Sequence, residues 1–133
     1  MTCVADASVV VAYLIGQASE AESAVMMGAA HAPSLLDVEV THTLRGLLAG
    51  GKLSLGLAER ARADLAQLGV RRHPDAALLQ RAWELRNVCT VYDGLYVALA
   101  EALDAALLTR DGRLARGVVD LVDLVDQVEP DEA

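Results

Sequence analysis

Four carboxylates stand where short apolar runs end or where helices are expected. Asp6 follows the run TCVA at residues 2–5, and Asp111 lies two residues past the run AALLT at 105–109. Asp93 falls in the first turn of an expected helix, and Glu39 precedes the apolar Val40 on another. If the two runs are strands of an open parallel sheet, Asp6 and Asp111 border the crevice beyond the strands' carboxyl ends, where such sheets bind ligands. Helices packed on that sheet would bring Glu39 and Asp93 to the same crevice. Four carboxylates sharing one pocket repel each other and persist only when protons or cations neutralise them. Hard oxygen donors without His or Cys favour Mg2+ or Mn2+.

Each acid also has an ordinary structural reading. Asp6 or Ser8 suits a helix N-cap. Asp93 in a first turn suits the helix dipole. Asp111-Gly112 suits a turn, and Glu39 suits a solvated helix face. Only their convergence separates the two readings.

The elements that must position these acids can be read along the chain. Residues 2–5 predict a buried strand, which appears as an apolar run rather than an alternation. Asp6-Ala-Ser8 predicts a strand-to-helix turn, with a short helix in SVVVAYLI (8–15). Ser19-x-x-Glu22 matches a capping box for a helix over 20–30, with Met26 and Met27 in an exposed apolar patch. After Ala32-Pro33-Ser34 comes a helix with Leu36, Val40, Leu44, Leu47 and Leu48 on one stripe. It ends at Gly50-Gly51. Ser54 caps a helix over 55–68 with Leu57, Ala61, Leu65 and Leu68 inward. A turn and short strand follow over 69–74. Asp75 starts a helix burying Leu78, Leu79, Ala82 and Leu85, with Asn87 as its stop. Residues 92–103 carry Leu95, Ala98, Leu99, Ala102 and Leu103 at helical spacing. The run 105–109 predicts a second buried strand, 112–117 a short helix, and 118–125 an edge strand. Strands alternating with helices predict one α/β domain with a mainly parallel sheet.

Composition agrees. The chain has 133 residues, enough for one core, with 54% hydrophobic residues and no Phe. The core must therefore be built from Val, Leu, Ile and Ala. The net charge of −8 disfavours indiscriminate coating of nucleic acid. Yet six acids and no base lie between Asp120 and Glu132, leaving 11 bases against 13 acids in residues 1–119. A nucleic-acid substrate is therefore not excluded. Cys3 and Cys89 have no zinc spacing and suit buried free thiols of a reducing cytoplasm. The N-terminal stretch lacks a basic segment before its apolar run, unlike a signal peptide. No apolar run approaches the ~20 residues of a membrane span. His31, His42 and His73 are single and scattered, so a site built from them is not expected.

The acids and their neighbours also carry a resemblance. Asp6-Ala-Ser8, Pro33-Ser-Leu-Leu-Asp-Val-Glu39, Thr90-Val-Tyr-Asp93-Gly-Leu-Tyr-Val-Ala-Leu-Ala and Leu107-Leu-Thr-Arg-Asp111 resemble the ordered signature of the PIN domain. More narrowly, the chain is similar to the VapC-type ribonuclease toxins of toxin–antitoxin pairs, from residue 3 to about 125. The resemblance implies a single PIN-like domain over 1–125, followed by an acidic tail over 126–133. It implies that Asp6, Glu39, Asp93 and Asp111 hold Mg2+ or Mn2+ and cleave RNA, leaving 5′-phosphate and 3′-hydroxyl ends. Ser8 and Thr109 match hydroxyl positions that support the acids. A VapB-like antitoxin and a homodimer are the partners it implies. Two positions depart from the family pattern. Gly94 stands in place of the usual Ala, and Asp104 in place of a Gly that requires tolerance of left-handed backbone.

RNA must also be held. Arg110, Arg113 and Arg116 flank Asp111 and are the expected contacts, since Arg suits bidentate phosphate binding. The lack of an aromatic stripe argues against a general single-strand-binding module. Two rival readings remain: a catalytically silent partner-binding protein that represses transcription with its antitoxin, and a phosphatase with Asp6 as nucleophile. The second lacks an Asp-x-Asp pair, because Ser8 occupies the second position.

Overall fold

The computed structural model describes residues 2–125. The acidic tail expected over 126–133 lies outside them. Four parallel strands form the sheet: β1 (Thr2–Ala5), β2 (Ala29–Pro33), β3 (Arg71–His73) and β4 (Ala106–Leu108), in the order β3-β2-β1-β4. Among the described residues, seven α-helices accompany them: α1 (Ala7–Leu14), α2 (Glu20–Met27), α3 (Leu35–Ala49), α4 (Leu55–Gln67), α5 (Leu79–Glu84), α6 (Val91–Leu103) and α7 (Gly112–Val118). Because β2 and β4 flank β1 on opposite sides, the strand order reverses between β1 and β4. That reversal opens a crevice at their carboxyl ends. Asp6 and Thr109 directly follow these two strands.

Burial explains why β1 reads as an apolar run. Past the exposed Thr2, Cys3, Val4 and Ala5 are all buried, so this part of the strand is covered on both faces. The Val-rich segment after it is a helix despite its strand propensity. Asp6 caps it, accepting from Val9 N at 3.3 Å, and Val9 to Ala12 are buried. α6 is buried from Gly94 to Ala100 and forms the central helix. A Cβ on Gly94 would come within 3.2 Å of the Ala82 Cα and Cβ. Gly94 therefore lets α5 and α6 pack backbone to side chain, which accounts for one departure from the family pattern. Asp104 ends α6 at φ 49° and ψ 46°, the left-handed conformation its position demands.

Several expectations are corrected. The helix expected over 20–30 stops at Met27, and AAHAP is strand β2, paired in register with β1. This Ala-rich segment carries little strand propensity of its own, and pairing on both sides imposes its conformation. Met26 is buried, while Met27 is exposed. Leu57 and Leu79 face solvent, because Ala58, Ala61 and Leu65, and Leu78, Ala82 and Leu85, form the inward stripes. Leu48 and Ala102 are likewise exposed, and Cys89, expected to be buried, is only half-buried, whereas Cys3 is buried. Asp75 starts a 3-10 turn before α5, which ends at Glu84. The edge strand over 118–125 reduces to one parallel bridge, Leu107 to Leu124. Val118 still belongs to α7, and a turn follows it. The scattered histidines are not all apart: His31 Nδ1 lies 2.8 Å from His73 Nε2 across β2 and β3.

Candidate metal centre

Asp6 is the most constrained of the acids. Its carboxylate is buried and accepts from Ser8 Oγ at 2.5 Å through Oδ1 and from Thr109 Oγ1 through Oδ2. The same Thr109 hydroxyl accepts from the Asp111 backbone N–H at 3.0 Å. The Asp6 N–H bonds Leu108 O at 3.1 Å, which seats the residue at the β1–β4 junction. Burial pushes the Asp6 carboxyl up, against the pull of the Ser8 and Thr109 hydroxyls and the Val9 amide, and the nearby Asp93 charge adds to the rise.

The other three acids come from helices. Thr90 caps α6 by accepting from the Asp93 N–H at 3.1 Å, which places Asp93 in the first turn. The Asp93 carboxyl is raised by burial and then by Asp111, with the Thr90 hydroxyl acting against both. Asp111 caps α7, accepting from Arg113 N at 3.0 Å and Leu114 N at 3.2 Å, and is exposed. Glu39 is half-buried on α3. Burial raises it first; the Tyr96 hydroxyl lowers it, and the charges of Asp93, Asp6 and Asp75 raise it further. The structure thus makes the four acids electrostatic neighbours; the N-cap reading of Asp6 holds at the same time, and Asp111, expected in a turn, is the N-cap of α7.

None of the four has an ion pair among the described residues. Nor do any three His, Cys, Asp or Glu among those residues form a ready-made cation cage. The donor set is nonetheless all hard oxygen and suits a divalent cation.

Two residues missed by sequence reasoning touch this cluster. The buried Tyr96 donates its hydroxyl to Glu39 Oε1 at 2.6 Å. It lies three residues after Asp93 on α6, a spacing that puts both on one helical face; that spacing was the available signal. Asp75 follows β3 as Asp6 follows β1, and its Oδ1 accepts from Leu35 N at 3.0 Å.

The expected RNA contacts differ in setting. The Arg110 guanidinium is engaged with the buried Glu22, through Nε at 2.6 Å and Nη2 at 2.7 Å, and with Gln17 O at 3.0 Å. Arg113 and Arg116 are exposed on α7.

The family profile of the PIN domain matches residues 3–118, nearly all the described chain. The chain belongs to the PIN domain family. Within it the relatives are VapC proteins. Ribonuclease VapC1 of Mycobacterium tuberculosis is 42% identical over 117 residues, covering 85% of this chain and 88% of its own. Ribonuclease VapC9 of the same species is 40% identical over 114 residues, covering 84% and 87%. Among solved structures, PAE2754 from Pyrobaculum aerophilum superposes with a TM-score of 0.67 at 21% identity, over 93% of this chain and 84% of that one. The PIN fold is therefore common to both.

Proposed function

We propose that this protein is a metal-dependent endoribonuclease, the toxin of a toxin–antitoxin pair. Asp6 carries the reading. It is a buried carboxylate oriented by two hydroxyls, next to three further acids, and no base is paired with any of them among the described residues. A structural acid would be paired or solvated; a cluster kept short of positive charge suits a cation. The names of VapC1 and VapC9 supply the substrate class.

Asp6, Glu39, Asp93 and Asp111 would hold Mg2+ or Mn2+. A cation held there would supply Lewis acidity for hydrolysis of a phosphodiester. Ser8 and Thr109 fix the rotamer of Asp6. Arg113 and Arg116 contact flanking phosphates; Arg110 contributes less, because Glu22 already offsets its charge. A VapB-like antitoxin and a second copy of the chain are the partners we propose, in the cytoplasm. Among the described residues no helix is long and apolar enough to cross a membrane.

Parallel expression of wild type and Asp93→Asn tests the reading. Growth arrest and discrete new RNA ends are expected from wild type alone. Equal toxicity from both would reject metal-dependent cleavage. A silent partner-binding protein would cut no RNA pool at any Mg2+ or Mn2+ concentration.

A further inference from the structure

Glu39 is the one acid of the four carried on a helix whose own N-cap is idle. Ser34 is already helical at φ −57° and ψ −26°, and its side chain makes no capping bond to α3. The first turn is tied instead to the exit of β3. His73 O accepts from Ser34 N at 2.7 Å and from Ser34 Oγ at 2.9 Å, and Asp75 Oδ1 accepts from Leu35 N at 3.0 Å. An orphan amide of the helix start is thereby satisfied from a distant segment. One turn further on, the Glu39 side chain accepts a hydrogen bond from Tyr96 of α6. Tyr96 is 1% exposed, so its hydroxyl has little access to water and is fixed by this bond.

Resting on the metal-nuclease reading, we propose that Tyr96 and Asp75 are positioning residues that preset Glu39 as a cation ligand. Asp75 fixes the start of α3, and Tyr96 fixes Glu39 Oε1, leaving Oε2 without a donor among the described residues. Partners of this kind govern metal affinity by orienting the ligand, and their loss typically costs about 10–100-fold. Tyr96 also shares α6 with Asp93. One helix thus carries a ligand of the site and the clamp on a ligand from α3.

The experiment measures Mn2+ affinity by calorimetry on folded protein, with kcat and KM for RNA and Tm alongside. Tyr96→Phe keeps the ring and removes the hydroxyl. It should weaken Mn2+ binding about tenfold and lower kcat more than it changes KM. Asp75→Ala should weaken binding as well, and Asp75→Asn, which keeps an acceptor for Leu35 N, should restore most of it. In a Glu39→Gln background, Tyr96→Phe should add little, because the two act as one unit. If Tyr96→Phe does not fold, the Asp75→Ala and Asp75→Asn comparison decides alone. Wild-type Mn2+ binding with variants within twofold of it, or additive losses in the double variant, would overturn the positioning roles. A wild type that binds no Mn2+ would remove the metal reading itself, and the positioning roles with it.

Discussion

Thr109 and Ser8 hold the same carboxylate but stand in different surroundings. Thr109 is buried and Ser8 exposed, so water can replace the Ser8 hydroxyl but has poor access to the other. Thr109→Val should therefore reduce RNA cleavage by about 10–100-fold, and Ser8→Ala by clearly less. Equal effects in a steady-state assay would show that burial does not set the difference. Arg110 poses a second comparison. Its pair with Glu22 joins α2 to the loop that carries Asp111, and the Glu22 side chain is fully buried. Removing one side of a buried pair costs more than the pair contributes. With the guanidinium partly exposed and screened, Arg110→Ala should cost on the order of 2–3 kcal/mol in denaturant titrations. Arg113→Ala and Arg116→Ala should leave stability unchanged, raise KM and flatten its salt dependence.

At the scale of elements, close packing and strand pairing place the site. Gly94→Ala should be destabilising by about 1–3 kcal/mol from overpacking against Ala82, more than the gain of about 1 kcal/mol in helix propensity. Ala82→Gly in the same chain should recover part of the loss by thermal unfolding. The His31–His73 contact sits on the pairing of β2 with β3. The His31 imidazole is pushed below its usual range by burial, then by His73 and Arg71. A folded-state value below the unfolded one means that the unfolded chain binds more protons. The contact therefore contributes stability above about pH 6.5, which is lost as pH falls below it. His73→Gln should flatten Tm between pH 7 and pH 5. The buried Asp6 and the half-buried Glu39 and Asp93, being raised, act in the opposite sense, so the histidine contribution is the difference between wild type and variant.

For the molecule as a whole, the charge cluster joins two strand ends and two helices, and a cation bound there should stabilise the entire fold. Mn2+ at 100 times its Kd should add about 2.7 kcal/mol of stability, visible as a rise of several degrees in Tm. EDTA should reverse it, and Asp93→Asn should largely abolish it. A Tm indifferent to Mn2+ in the wild type would contradict a site spanning these elements.

Local chemistry was written in the chain. The buried strands TCVA and ALL, the capping box at Ser19–Glu22, the cap at Thr90 and the left-handed turn at Asp104 each follow from neighbours a few residues away, so sequence determines them. Asp6, Asp93 and Asp111 were legible because each sits at the end of such an element, whereas Glu39 lies inside α3 and was picked out by the motif it shares with the family. Tertiary structure decided the rest. Segment 29–33 became a strand only because β1 and β3 pair with it. Arg110 turned inward because Glu22, 88 residues away, is buried beside it. Tyr96 reached Glu39, and Asp75 reached the start of its helix at Leu35, from distant segments. Propensity and capping act over one turn of chain, whereas hydrogen bonds between segments depend on how the layers stack.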